Sequence, residues 1–138
     1  HQDKILLCKT VDIDLNFYYM PGGHIENGES AEIALHRELQ EETGFECKIT
    51  KFLGCLEYSF NPGKNSICHN HEYNFVFEAE SEHLTSDQKI LSPEKHIELV
   101  WAPLTSLAKI DFRAEPLKEL LPEWLTENNP NKFASEMI

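Results

Sequence analysis

Apolar positions along the chain recur with two periods, and the changes between them mark the elements. Residues 4–9 (K-I-L-L-C-K) form an apolar run between charged ends and predict a short buried strand. Residues 10–16 read as a loop. Residues 17–20 (F-Y-Y-M) predict a second short strand that runs into Pro21-Gly22-Gly23. The period then lengthens. Ser30 suits a helix N-cap, residues 31–43 read as helix, and Gly44 suits its left-handed stop. Residues 46–60 return to alternation, with Cys47 and Ile49 in one phase, a shift near Thr50 and Lys51, and Phe52, Leu56 and Tyr58 after it. The shift predicts a bulge. Asn61-Pro62-Gly63-Lys64-Asn65 predicts a hairpin loop. Residues 72–79 are the clearest strand, with Tyr73, Phe75, Phe77 and Ala79 on one face. Residues 81–96 are polar and predict a long loop, a kind of segment that often carries function. Ile97, Leu99 and Trp101 alternate with Glu98 and Val100 in a further strand ended by Pro103. Pro116 opens a closing helix whose face is Leu117, Leu120, Leu121 and Trp124, with Pro122 as a blemish. Residues 127–138, polar and rich in Asn, predict a loosely held tail after a single domain over residues 1–126.

The helix at 31–43 carries an awkward arrangement of charge. At about 100° per residue, Ala31, Ala34, Leu35 and Leu39 fall on one side, and Glu38, Glu41 and Glu42 fall among them. Glu32, His36, Gln40 and Thr43 take the opposite side, with Ile33 as an apolar exception. Like charges three and four residues apart repel, and acids in the last turns oppose the helix dipole. Desolvation adds to the cost. A divalent cation relieves all three, and carboxylate oxygens suit Mg²⁺ or Mn²⁺. Without one, the three acids alone would read as a solvated acidic helix end.

The residues around this helix form a longer pattern. Gly23 is followed by Glu29, Arg37-Glu38-Leu39, Glu41-Glu42 and Gly44-Phe45. The stretch at 23–45 resembles the Nudix box G-x5-E-x7-R-E-U-x-E-E-x-G-U, where U is apolar, at every fixed position. At about 6% for each fixed residue type, a chance match falls below about 10⁻⁸ per starting position. The resemblance to the Nudix hydrolases implies an α/β/α sandwich with a mixed β-sheet, and another strand upstream of His1. It implies hydrolysis of a nucleoside diphosphate linked to some other moiety, by water attack on phosphorus. It makes Glu38 and Glu42 the principal metal ligands, with Glu41 assisting and the carbonyl of Gly23 contributing. The cofactor it implies is Mg²⁺, with Mn²⁺ able to substitute. Glu29 and Arg37 are expected to pair and tie the loop to the helix, although a direct phosphate contact by Arg37 stays open. Glu29, Arg37, Glu41 and Glu42 are thus the catalytic candidates, and any of the three helix acids could be the base. Family members often draw another acid from a late loop or strand, and Glu94 and Glu98 are the candidates here.

Composition narrows the partners. Net charge is −12, from 24 acids against 12 Lys and Arg. That argues against broad nucleic-acid or anionic-membrane binding, and bound metal still admits a small polyanionic substrate. The chain starts at His1, shows no signal peptide and has no apolar run approaching the length of a membrane span. Cys8, Cys47, Cys55 and Cys68 form no C-x-x-C pair and read as reduced thiols in a cytoplasmic protein. Cys68-His69-Asn70-His71 lacks the spacing of a zinc site and reads rather as a loop end that touches substrate. Phe17, Tyr18, Tyr58, Phe60 and Phe112 suit a core better than a base-stacking role. Nucleoside triphosphates, nucleotide sugars, ADP-ribose and dinucleoside polyphosphates all remain compatible, as does a homodimer. The competing readings are a catalytically silent Nudix-fold nucleotide-binding or regulatory module, and an acidic α/β domain outside the family.

Overall fold

A computed structural model describes residues 1–11, 16–61, 69–126, 128 and 130–137. The expected hairpin turn at residues 62–65 and Cys68 lie outside them. Strand β1 (Lys4–Thr10) is antiparallel to β5 (Ile97–Pro103) on one side and to β2 (Tyr18–Tyr19) on the other. Beyond β2 runs β6 (Phe112–Arg113), in parallel. A second sheet places β3 (Lys48–Ser59) between antiparallel β4 (His71–Glu80) and parallel β7 (Phe133–Glu136). The helices are α1 (Ala31–Thr43) and α2 (Leu117–Trp124), with a 3-10 turn at Leu104–Lys109. The chain is α/β with mixed strand pairing, and the single sheet expected is divided into two.

Strand β1 explains the layering. It is apolar on both faces, and both faces are covered. Leu7 joins Leu53, Leu56, Val76, Phe112, Leu117 and Trp124 in the core between the sheets and α2. Cys8, its neighbour, joins Ile90, Ile97 and Leu99 on the opposite face, where Tyr19, Phe45 and Leu84 close over them. Ile90 and Leu84 come from the 81–96 loop, so that segment covers the sheet face on which α1 ends. Burying each such aliphatic side chain contributes about 1.5–3 kcal/mol.

Three expectations need correction. Residues 127–138 are not simply a tail, because Phe133–Glu136 adds a strand to the second sheet. The Cys55 N–H donates to the Lys132 carbonyl at its start, and Ser135 donates to Glu57 within it. In β3, register shifts occur between Ile49 and Lys51, as expected, and again between Phe52 and Gly54. The second shift inverts the phase. Leu53 is therefore buried at 3% exposure, while Phe52 turns outward to meet Phe77 with ring centroids 5.3 Å apart. On α1, Thr43 was expected to face outward and is buried, its hydroxyl donating to the Leu39 carbonyl at 2.6 Å. The aromatic face of β4 holds together in the predicted phase, with Tyr73 and Phe75 exposed and Val76 on the core side.

The second shift also brings Gly54 against α2. A Cβ at Gly54 would lie 2.7 Å from the indole of Trp124, which is itself buried. Neither the strand backbone nor the packed ring has room to yield. Gly54→Ala should therefore destabilise the fold by about 1–3 kcal/mol. A urea midpoint equal to that of the parent would show that the ring has space to move.

Candidate active site

Helix α1 is fixed at both ends by its own sequence. The Ser30 hydroxyl accepts from the Ile33 N–H at 3.2 Å, and Gly44 takes φ 81° to close the other end. The loop before the helix is fixed by Arg37. Its Nε and Nη2 donate to both carboxylate oxygens of Glu29, at 2.8 and 3.0 Å. Nη2 also donates to the His24 carbonyl at 3.1 Å, and Nη1 to Glu38 at 2.7 Å. One guanidinium thus holds the loop at two points and Glu38 of the helix at a third. Glu29, hydrogen-bonded by Arg37 and by the Glu26 N–H, is drawn down to about 2. The link from Arg37 to Glu38 was not legible beforehand, because neighbouring residues on a helix do not ordinarily face each other.

Glu38, Glu41 and Glu42 lie in three different environments. Glu42 is 5% exposed. Glu38 is partly buried beside Arg37, and Glu41 is exposed, with Arg37 at 3.7 Å. Burial pushes the Glu42 carboxyl up to about 7, with the charges of Glu38, Glu94 and Glu41 acting in the same direction. The Gly22 N–H opposes this by donating to Glu42 at 2.8 Å. Of the two late acids proposed from sequence, Glu94 is the one whose charge reaches Glu42. Glu98 is exposed on β5, in register with Lys9. Sequence reasoning missed Ser92, whose hydroxyl donates to the Glu42 carbonyl at 2.5 Å and accepts from the Glu94 N–H. It also missed Tyr19 and Cys8. Burial pushes both well above their ordinary values, and the charges of Glu42 and Glu94 add to the effect.

Gly23 is where loop and helix meet. A Cβ there would lie 2.4 Å from the Glu38 carboxyl. Gly22 and Gly23 also form part of the wall of a cleft of about 600 Å³. The Ala31, Ala34 and Leu35 side of α1, residues 71–77 of β4, and His24, His69 and Arg113 also line it. The carboxylates therefore lie behind the two glycines, and the cleft lies in front.

The NUDIX domain family model matches residues 1–124. The chain belongs to the Nudix family. Among curated Nudix relatives, it is 43% identical over 54 residues to a putative 8-oxo-dGTP diphosphatase of Bacillus subtilis, covering 39% of this chain and 35% of that protein. It is 44% identical over 63 residues to an RNA pyrophosphohydrolase of Campylobacter jejuni, covering 44% of this chain and 39% of that one. The aligned stretch thus spans little more than a third of either relative. Among solved structures, a MutT protein from Methanosarcina mazei has the same fold, with a TM-score of 0.68 and 17% identity over 90% of this chain and 84% of that one.

Whether the Nudix carboxylates suit a metal is answered by Glu42. It is buried, has no cationic side chain within pairing distance among the described residues, and is surrounded by further acids. That is the setting a divalent ion would relieve. Among the described residues no three acid, His or Cys side chains form a ready-made metal cage. Mg²⁺ does not require one, because it commonly keeps waters and takes substrate phosphates alongside one or two carboxylates. No helix among the described residues is long and apolar enough to cross a membrane.

Proposed function

We propose that this Nudix protein is a Mg²⁺-dependent pyrophosphohydrolase, with Mn²⁺ as an alternative ion, that cleaves the diphosphate linkage of a nucleoside diphosphate derivative by water attack on phosphorus. The observation that carries this reading is the buried Glu42, without a cationic partner among the described residues, beside the glycine wall of the cleft. Glu38, Glu41, Glu42 and the Gly23 carbonyl would hold the ion. When bound, it neutralises phosphate charge and makes a coordinated water more acidic. Glu38 is aimed by Arg37, and Glu42 by the Gly22 N–H. Glu41, exposed and in the same helix turns, would take the proton of the attacking water on this reading. Arg37 and Glu29 act by position, keeping Gly23 against Glu38. Glu94 adds negative charge beside Glu42.

Turnover of nucleoside triphosphates, nucleotide sugars, ADP-ribose and dinucleoside polyphosphates in Mg²⁺ and in Mn²⁺ tests the proposal. Products of diphosphate cleavage are expected for at least one class. Metal-dependent thermal stabilisation with no turnover of any class would favour a nucleotide-binding or regulatory module instead.

Gly23→Ala separates the position of Glu38 from the stability of the fold. Glu38 is flexible and can swing away from the new methyl group, so the melting temperature should barely change. The displaced carboxylate should lower kcat/KM by about tenfold or more. Unchanged activity would mean that the Gly23–Glu38 contact has no part in the reaction.

A further inference from the structure

The cleft in front of the carboxylates is less acidic than the chain as a whole. Acids outnumber Lys and Arg by 24 to 12 overall, yet among the described residues the cleft lining contains three of the seven histidines, Arg113, and one acid, Glu72. His24 follows Gly23 directly, and its carbonyl is held by Arg37. Its ring meets that of His69 edge-on, with centroids 5.3 Å apart. His69 comes from the other side of the cleft, and its Nε2 lies 3.1 Å from Glu72. Glu72 is steadied in turn by the Asn74 amide at 2.9 Å, and the Phe60 ring flanks His69. The two imidazoles therefore face each other from separately anchored elements. Arg113 lies in register with Tyr19 on the adjacent strand and stands over the Phe17 ring at 4.8 Å. Asp111 engages its Nε and Nη2.

Imidazole and guanidinium groups bind anionic oxygen, which the carboxylates behind Gly22 and Gly23 repel. On the hydrolase reading, which this inference rests on, the cleaved linkage sits at those glycines, and the next group of the substrate extends along the histidine wall. We propose that His24, His69 and Arg113 form a binding site for a further phosphate, beyond the two joined by the cleaved linkage. The site selects a triphosphate over a nucleotide joined to an uncharged sugar. His71 lines the same cleft but packs on Tyr73 rather than on the His24–His69 pair, and it has no part in this site.

The first test is calorimetric titration of inorganic tripolyphosphate in EDTA. Affinity should fall about tenfold in each of His24→Ala, His69→Ala and Arg113→Ala, and should hold in His71→Ala. Equal affinity in all four variants and the parent overturns the site. The second test is KM for ATP, for a 5′-triphosphorylated dinucleotide and for ADP-ribose. A rise of about tenfold for one or both triphosphates, with kcat and the ADP-ribose reaction unchanged, supports the site and tells which source of triphosphate fits. Equal losses on all three substrates would mean the residues merely shape the cleft. His69→Gln and Arg113→Lys keep a donor and should restore part of the affinity. If the parent hydrolyses nothing, the hydrolase reading falls, and the tripolyphosphate titration still decides the site.

Discussion

Glu42→Gln should lower kcat by about two orders of magnitude or more while raising the melting temperature of the metal-free protein at pH 8. The two effects have one cause. Burial and three neighbouring acids push the Glu42 carboxyl to about 7, from an ordinary 4.5. In the folded state this group therefore holds a proton that the unfolded chain releases. Its stabilising contribution is complete below about pH 4.5 and is lost as pH rises through about 7. The cost above pH 7 is of the order of 3 kcal/mol. Glutamine keeps an oxygen to accept from Gly22 and removes the charge, so the substituted protein should lack this pH dependence. It should also lack the stabilisation that millimolar Mg²⁺ gives the parent, which is about 2.7 kcal/mol at one hundred times Kd. Thermal melts from pH 4.5 to 8, with and without Mg²⁺, provide the measurement. A parent whose melting temperature ignores both pH and Mg²⁺ would remove Glu42 from the metal face.

The second large effect concerns Arg37 and Glu29. Arg37→Ala should reduce kcat/KM by about a hundredfold, because a misplacement of about 1 Å at a reacting centre costs that much. It releases the His24 carbonyl, Glu29 and Glu38 together. Glu29→Ala removes only one of these anchors and should cost less. The double variant should be little worse than Arg37→Ala, since the residues act as a unit. Melting temperatures should move only modestly, because the pair is partly exposed. Strict additivity of the two losses in kcat/KM would reject the tie and point to a direct phosphate contact by Arg37.

What was legible in the sequence is what near neighbours determine. The ends of α1 depend on Ser30 and Ile33, three residues apart, and on the conformation of a single glycine, Gly44. The box residues Glu29 and Arg37 are eight apart and meet as the spacing suggests. Strands β1, β4 and β5 announce themselves by apolar runs or alternation, and each forms close to its expected limits.

The remaining features depend on contacts between residues far apart in the chain. The polar 133–136 segment becomes a strand because the edge of β3 offers it backbone partners. Helical periodicity gave Glu38, Glu41 and Glu42 one shared face, but it contains no information about what covers each of them. Burial of Glu42 depends on the sheet that carries Cys8 and Tyr19, while Ser92 and Glu94 arrive from some fifty residues along the chain. The choice between Glu94 and Glu98, and the meeting of His24 with His69, are likewise made by packing. By itself the sequence determined the helix, its caps and the set of acids on it. Tertiary structure decided which acid loses its water, because desolvation comes from neighbours that local spacing does not specify.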